Sequence, residues 1–143
     1  MKVFVFEIND RVHVGSATGE LSITDTISIS IPEGQSYIIL GNEDLPNEPQ
    51  ESWYIEGGEI KIDQQKLIEY NRQNMPQLTP IEFDIKLNNA GLYDAVQELI
   101  KDNFERHIAY NRAIFFSRTD PFIDQARIAL NLTDEQVDEM WMN

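Results

Sequence analysis

SWYIEGGEIKID, residues 52–63, is the stretch that decides the fold of the first half of this chain. Apolar and polar side chains alternate on either side of Gly57 and Gly58. Glycine tolerates the positive φ that a two-residue hairpin turn requires, so the stretch predicts an antiparallel β-hairpin. Its register places Trp53 opposite Ile62.

The chain is predicted to pass straight from this hairpin into a helix. Asp63 is the expected N-cap, and Ile62 and Leu67 have the spacing of a hydrophobic staple around it. We expect the helix to end near Gln73, because prolines follow at 76 and 80.

The residues before the hairpin are predicted to form strands. Residues 3–8 are strongly apolar, and residues 12–14 continue the pattern after a short interruption. Between 21 and 31 leucine and isoleucine recur at odd positions among serines and threonines, which indicates a half-buried strand. Residues 37–40 are a further short strand, and residues 41–51 are a polar loop with two prolines.

The second half is predicted to be mainly helical. Residues 81–87 alternate like one last strand, and residues 92–117 then keep helical spacing. Pro121 is well placed to start another helix, and Thr133 with Gln136 forms a capping box for the last one. The expected fold class is therefore α+β. An antiparallel β-rich domain over residues 1–75 ends in a short helix, and a mainly helical domain covers residues 76–143.

The composition excludes several classes of function. The chain of 143 residues has no cysteine, so disulfide scaffolds, thiolate metal sites and thiol nucleophiles are excluded. Neither a signal peptide nor an apolar run long enough to span a membrane is recognisable. The net charge is −14, which disfavours contact with nucleic acids or anionic membranes. Such a surface is typical of a well-solvated protein, and it would also suit a basic partner or an imitation of DNA.

No catalytic constellation is recognisable, and we expect no enzyme activity, no cofactor and no metal site. His13 and His107 have no second histidine at helical spacing for a paired metal site. Phosphate-binding loops, dinucleotide fingerprints and serine nucleophile elbows are absent from the sequence. Neighbouring carboxylates are common, but a chain this acidic supplies them by chance.

Two segments resemble proteins of tailed bacteriophages. Residues 31–73 resemble small tail or tail-fibre-associated proteins. In their pattern proline-glutamate-glycine precedes a strand, and an acidic loop, a tryptophan and a hairpin follow. An aspartate then leads into a helix with a basic end. The matching residues are Pro32, Glu33, Gly34, Leu45, Pro46, Ser52, Trp53, Ile60, Ile62, Asp63 and Arg72. RTDPFIDQARIALNLTDEQVDEMW, residues 118–141, resembles the ends of phage tail assembly chaperones. Its spacing is longer than theirs, and Pro121 stands where they carry a tryptophan.

The resemblance implies a tail or tail-fibre component, or its assembly chaperone, that acts by protein–protein binding. Its partners would be phage tail or fibre proteins, and self-association into a homo-oligomer stays open. The chain would act in the cytoplasm of the bacterial host during assembly or remain in the virion. The residues expected to contact a partner are Trp53, Tyr54, Met140 and Trp141, as aromatic or thioether anchors.

Two other hypotheses follow from the residues. The charge favours an acidic phage-encoded inhibitor that imitates DNA and binds a basic host protein. The β-rich half and its aromatic residues would also suit a small hydrolase or a sugar-binding module.

Overall fold

In the computed structural model, which describes residues 1–143, the chain divides into two units that each have their own core. Unit 1 is Met1–Tyr70 and unit 2 is Asn71–Asn143. All five strands lie in unit 1, both of its sheets are antiparallel, and unit 2 is helical, so the predicted α+β class is confirmed. The boundary between the units falls inside a helix, Gln64–Gln73.

The elements of the two units are named in chain order. The strands are β1 (Lys2–Ile8), β2 (Arg11–Ser16), β3 (Tyr37–Gly41), β4 (Trp53–Glu56) and β5 (Glu59–Ile62). The helices are α1 (Ile23–Ser30), α2 (Gln64–Gln73), α3 (Pro80–Asn89), α4 (Tyr93–Lys101), α5 (Phe104–Asn111), α6 (Pro121–Ala129) and α7 (Asp134–Met142). No helix combines the length and the apolar character that crossing a membrane requires.

A three-stranded antiparallel sheet in the order β2-β1-β3 forms the first layer of unit 1. Asn9 and Asp10 join β1 to β2, and both have positive φ, as a two-residue type I′ turn requires. Phenylalanine on one face of β1 packs under α1. Val3 and Val5 on the opposite face form a core cluster with Trp53.

The predicted hairpin of residues 52–63 is confirmed. Trp53 pairs with Ile62 across β4 and β5, and Gly57 and Gly58 both have positive φ in the turn. Asp63 caps α2, because its Oδ1 accepts backbone N–H groups from the first turn at 3.0 and 3.1 Å.

The strand predicted over residues 21–31 is wrong, because this segment forms α1. Ser22 is the N-cap, and its Oγ accepts the backbone N–H of Asp25 at 3.1 Å. Ile27 and Ile31 are buried four residues apart and cluster with phenylalanine from β1. The isoleucines at 23, 27, 29 and 31 satisfy a helical i, i+4 spacing as well as a strand alternation, and the capped N-terminus selects the helix.

The strand predicted over residues 81–87 is also wrong, because α3 occupies them. Thr79 and Glu82 form a capping box. The N–H of Glu82 donates a hydrogen bond of 3.3 Å to Thr79 Oγ1, and the N–H of Thr79 donates one of 2.8 Å to Glu82 Oε2. The proline at the first helical position adds to this start signal. Phe83 and Leu87, four residues apart, then supply the buried face.

The single long helix predicted over residues 92–117 is divided into α4 and α5. Asn103 starts the second helix, since its Oδ1 accepts the backbone N–H of Arg106 at 2.9 Å. After α5 the chain becomes extended, and Phe116 exchanges two backbone hydrogen bonds with Leu78.

Candidate protein-binding groove

Helix α7 is held in the core of unit 2 by its last aromatic residue. Trp141 is fully buried, and its ring centroid lies 5.8 Å from that of Phe83. The indole Nε1 donates a hydrogen bond of 2.8 Å to the carbonyl oxygen of Pro76. The predicted capping box starts the same helix, with the Gln136 N–H on Thr133 Oγ1 at 3.1 Å. Both ends of α7 are therefore fixed.

An open groove of about 540 Å³ lies beside α7. Its apolar lining comes from Leu92, Leu132 and Met140, which belong to three separate parts of unit 2. Lys86 and Glu139 supply opposite charges to the lining, and neither takes part in an ion pair within 4.0 Å. A volume of this size is in the range of pockets that accept a side chain or a short peptide. The groove can thus receive an apolar group and steer a charged one.

A network of ion pairs fixes α7 through its polar side. Arg118 is 5 % exposed, and its Nε lies 2.7 Å from Asp138 Oδ1, while its Nη2 lies 3.0 Å from Asp134 Oδ1. Arg72 approaches Asp138 Oδ2 at 2.9 Å, and Arg127 approaches Asp134 Oδ1 at 3.3 Å. Two carboxylates of one helix are therefore shared among three guanidinium groups.

The charges in this network stabilise one another. The hydrogen bond from Arg118 holds the pKa of Asp134 below its ordinary value of 3.8, and the charges of Arg72 and Arg127 add to that effect. The hydrogen bond to Asp138 raises the pKa of Arg72. Both shifts favour the ionised forms, so the network keeps α7 anchored at neutral pH.

A half-buried tyrosine adds a polar contact to the core of unit 2. The hydroxyl of Tyr110 donates to Asp84 Oδ1. Burial raises the pKa of Tyr110 well above its ordinary value, and the hydrogen bond to Asp84 raises it further. Tyr110 is therefore a neutral hydrogen-bond donor that joins α5 to α3.

The four residues predicted to contact a partner differ in their surroundings. Trp53 lies in the core of unit 1 and is 6 % exposed, with its Nε1 on the carbonyl oxygen of Glu48 at 2.8 Å. Trp141 lies in the core of unit 2. Tyr54 is half-buried on β4, beside Lys61 of β5. Only Met140 lines the groove. The tryptophans are thus core residues, because burying their large rings stabilises each unit and a backbone carbonyl satisfies each indole N–H.

The sequence interpretation missed the other residues of the groove. Leu92 was expected only as the first residue of the helical pattern over residues 92–117, and neither Leu132 nor Lys86 was predicted to contact a partner. No local signal identifies them, since they converge from distant parts of the chain.

The two histidines lie in ordinary surface contexts. His13 stacks on Phe6 across β1 and β2 with ring centroids 5.2 Å apart. His107 lies on α5, where its Nδ1 is 3.2 Å from the side-chain amide of Asn111. No group of three or more histidine and carboxylate side chains is arranged to hold a metal ion.

Comparisons with protein-family models, with curated proteins and with solved structures give no match to this chain.

Proposed function

We propose that this chain is a structural or assembly protein of a tailed bacteriophage that acts by binding another protein. The observation that carries the proposal is the groove beside α7, with its apolar floor of Leu92, Leu132 and Met140. The segment that resembles tail assembly chaperones, residues 118–141, supplies α6, most of α7 and two of these three floor residues.

The chemistry of the groove favours binding over catalysis. Its floor is aliphatic and thioether, and these groups contribute contact area without reacting. Methionine is unbranched and polarisable, so Met140 can adjust to the shape of an inserted side chain. Lys86 and Glu139 would orient a polar partner segment at the rim. The expected occupant is an apolar side chain of a phage tail or fibre protein.

The test is affinity capture of the tagged chain from phage-infected cells, followed by mass spectrometry of the captured proteins. Met140→Lys places a charge in the groove. Met142→Lys is the matched control, because Met142 is 57 % exposed and is not part of the groove lining. We expect a tail or fibre protein to be captured by the wild type and by Met142→Lys, and to be lost with Met140→Lys. Equal capture by both variants would refute the groove as the binding site.

Mass spectrometry of purified phage particles separates the two forms of the proposal. Stoichiometric presence of the chain in particles indicates a tail component. Abundance in the infected cell together with absence from particles indicates an assembly chaperone. Capture of no tail or fibre protein would refute the assignment to phage assembly.

A second candidate function is inhibition of a basic nucleic-acid-binding protein by imitation of DNA. Residues 12–60 contain nine carboxylate residues and neither lysine nor arginine, which gives this part of unit 1 a charge of a single sign. Such a partner would bind strongly at low salt and much more weakly at high salt, because salt screens exposed charges. An affinity that does not change with salt would exclude this function.

A further inference from the structure

Strand β3 is an open edge of the three-stranded sheet of unit 1. It pairs with β1 on one side and with no strand on the other. The N–H of Asn42 donates a hydrogen bond of 2.9 Å to the carbonyl oxygen of Met1. In an antiparallel pair every second residue bonds to the partner strand, so this bond shows which residues of β3 face β1 and which face outward. Ile38 and Leu40 therefore direct their backbone groups to β1, and Ile39 directs its N–H and C=O outward.

A side-chain contact at the end of the strand agrees with this alternation of inward and outward backbone groups. The N–H of Gly41, two residues after Ile39, points away from β1 and donates to Asp44 Oδ2 at 3.2 Å. The backbone groups of Ile39 have no partner in the chain. Tyr37 and Ile39 also expose 47 % and 43 % of their surface. The open edge thus combines free hydrogen-bonding groups with apolar side chains.

The opposite edge of the sheet is protected. The carbonyl oxygen of Val12 on β2 accepts a hydrogen bond of 2.7 Å from Gln50 Nε2, and Val12 is buried. Strand β2 also carries Arg11 and His13, whereas β3 reads YIILG and has no charged residue. Proteins usually block an edge strand with charges, proline or a covering segment, and β3 has none of these along its length.

The charges around β3 indicate what would pair with it. Carboxylates of Glu43 and Asp44 crowd its C-terminal end, where a Cβ on Gly41 would lie 2.6 Å from Glu43 Oε1 and 2.9 Å from Asp44 Oδ2. Glu33 is exposed before its N-terminal end. Lys2 is the nearest cation in the register, and it lies on β1, across the strand from the open edge.

A second copy of β3 is a poor partner for this edge. Antiparallel self-pairing centred on Ile39 would bring the end of β3 that is followed by Glu43 and Asp44 towards the turn that carries Glu33 in the other chain, and like charges near one another disfavour the pair. A strand flanked by lysine or arginine would instead meet opposite charge at both ends.

We propose that β3 is the docking edge for an extended segment of another protein, which adds to the sheet as a fourth strand. The segment has alternating apolar side chains and basic flanks. Its backbone pairs with the outward groups of Tyr37 and Ile39, and its flanks contact Glu33, Glu43 and Asp44. This interface is independent of the groove in unit 2 and of the assignment to phage assembly.

The test uses a synthetic peptide, Lys-Lys-Val-Thr-Val-Thr-Val-Lys-Lys, added to the isotopically labelled full chain. Amide hydrogen exchange followed by NMR reports each backbone N–H separately. Without peptide, we expect the amide of Ile39 to exchange fast and those of Ile38 and Leu40 to be protected. The peptide should slow exchange at Ile39, and a version with glutamates in place of the lysines should bind at least about tenfold more weakly.

Ile39→Pro is the matched variant, since the N–H that it removes points outward and makes no hydrogen bond to β1. Proline is tolerated on an edge strand when its nitrogen faces solvent, so the fold should persist while peptide binding is lost. Leu40→Pro, by contrast, should unfold the sheet because that N–H bonds to β1. If Ile39→Pro lowers the stability of unit 1, Ile39→Lys keeps the amide and should still weaken binding about tenfold by repelling the basic flanks.

Three results would overturn the proposal. One is an unchanged exchange rate at Ile39 in saturating peptide. Another is equal binding of the lysine and glutamate peptides. The third is an Ile39 amide that is already protected in a chain that sedimentation shows to be dimeric, because a second copy would then occupy the edge.

Discussion

Replacing Arg118 with methionine should destabilise unit 2 strongly. The side chain is 4 % exposed and makes two charge-assisted hydrogen bonds, to Asp138 at 2.7 Å and to Asp134 at 3.0 Å. Methionine has a side chain of similar length but cannot donate a hydrogen bond. The variant therefore leaves the two carboxylates without their most buried partner. The effect measures how much the network contributes to holding α7.

The magnitude follows from the partners that remain. Removing one member of a buried ion pair costs about 3–5 kcal/mol. Asp138 keeps Arg72 at 2.9 Å and Asp134 keeps Arg127 at 3.3 Å. Since neither carboxylate is left alone, the cost should fall at the lower end, about 3 kcal/mol. For a unit of this size the denaturant slope in urea is roughly 1 kcal/mol per molar, so the midpoint should fall by about 3 M.

The assay uses the fact that each unit contains one tryptophan. In a Trp53→Phe background, fluorescence reports only Trp141, which is fully buried in unit 2. Arg112→Met is the control, because Arg112 is exposed and takes part in no ion pair within 4.0 Å. Its midpoint should change by less than about 0.5 M, which corresponds to a surface substitution.

A midpoint for Arg118→Met that matches the Arg112→Met control would refute this reasoning. It would mean that the desolvation of the guanidinium cancels its attraction to the two carboxylates, as some buried pairs do. Arg118→Lys refines the result. It keeps the charge but loses the fork that reaches two carboxylates, so its midpoint should lie between the other two.

Three further predictions concern stability, which is followed by Trp141 fluorescence for unit 2 and by amide hydrogen exchange for unit 1. Because folding lowers the pKa of Asp134, its contribution to the stability of unit 2 is present above pH 3.8 and is lost as the pH falls below that value. In Asp134→Asn the stability of unit 2 should therefore fall less steeply with decreasing pH than in the wild type. Asp10→Gly should raise the stability of unit 1 by less than about 1 kcal/mol, since glycine adopts the positive φ of this turn without strain, while its greater freedom in the unfolded chain offsets part of that gain. Gly15→Ala should lower the stability of unit 1 by about 1–3 kcal/mol, because the new methyl group would lie 2.2 Å from the ring of Phe4. A fall in stability no larger than that of a surface substitution would contradict this packing.

Local signals were sufficient to predict the parts of the fold that form from neighbouring residues. The hairpin depends on Gly57 and Gly58 and on side chains within six residues of them, so its register could be read from sequence. The capping box at Thr133 is equally local. These features need no distant contact to specify them.

Alternating isoleucines were misleading because they fit two periods. Ile81 and Ile85 are 73 % and 55 % exposed on α3, although they gave the segment its strand pattern. Thr79 and Glu82 carried the helix signal, and a capped N-terminus outweighs the β propensity of isoleucine here. The same competition decided α1.

The candidate site could not be predicted because its members are far apart in sequence. Arg118 contacts carboxylates 16 and 20 residues away, and the network also needs Arg72 from α2. Leu92, Leu132 and Met140 reach one groove only after α3, α7 and the connections next to them have packed. Of the four residues predicted to contact a partner, Met140 lines this groove, and its role in binding stays a prediction.

The positions of the two tryptophans decide how binding experiments on this chain must be designed. Each indole N–H donates a hydrogen bond of 2.8 Å to a backbone carbonyl oxygen in an irregular segment. The acceptor is Glu48 for Trp53 and Pro76 for Trp141. Replacing either tryptophan with alanine therefore removes core packing and also frees a loop, at a cost of about 3–5 kcal/mol. Loss of binding in such variants would follow from unfolding and would not identify an interface. Ile39 belongs to no core cluster, so its outward amide is the position at which binding and folding can be separated. Met140 packs against the core of unit 2, so lost capture with Met140→Lys counts as lost binding only when urea unfolding shows that the variant is folded.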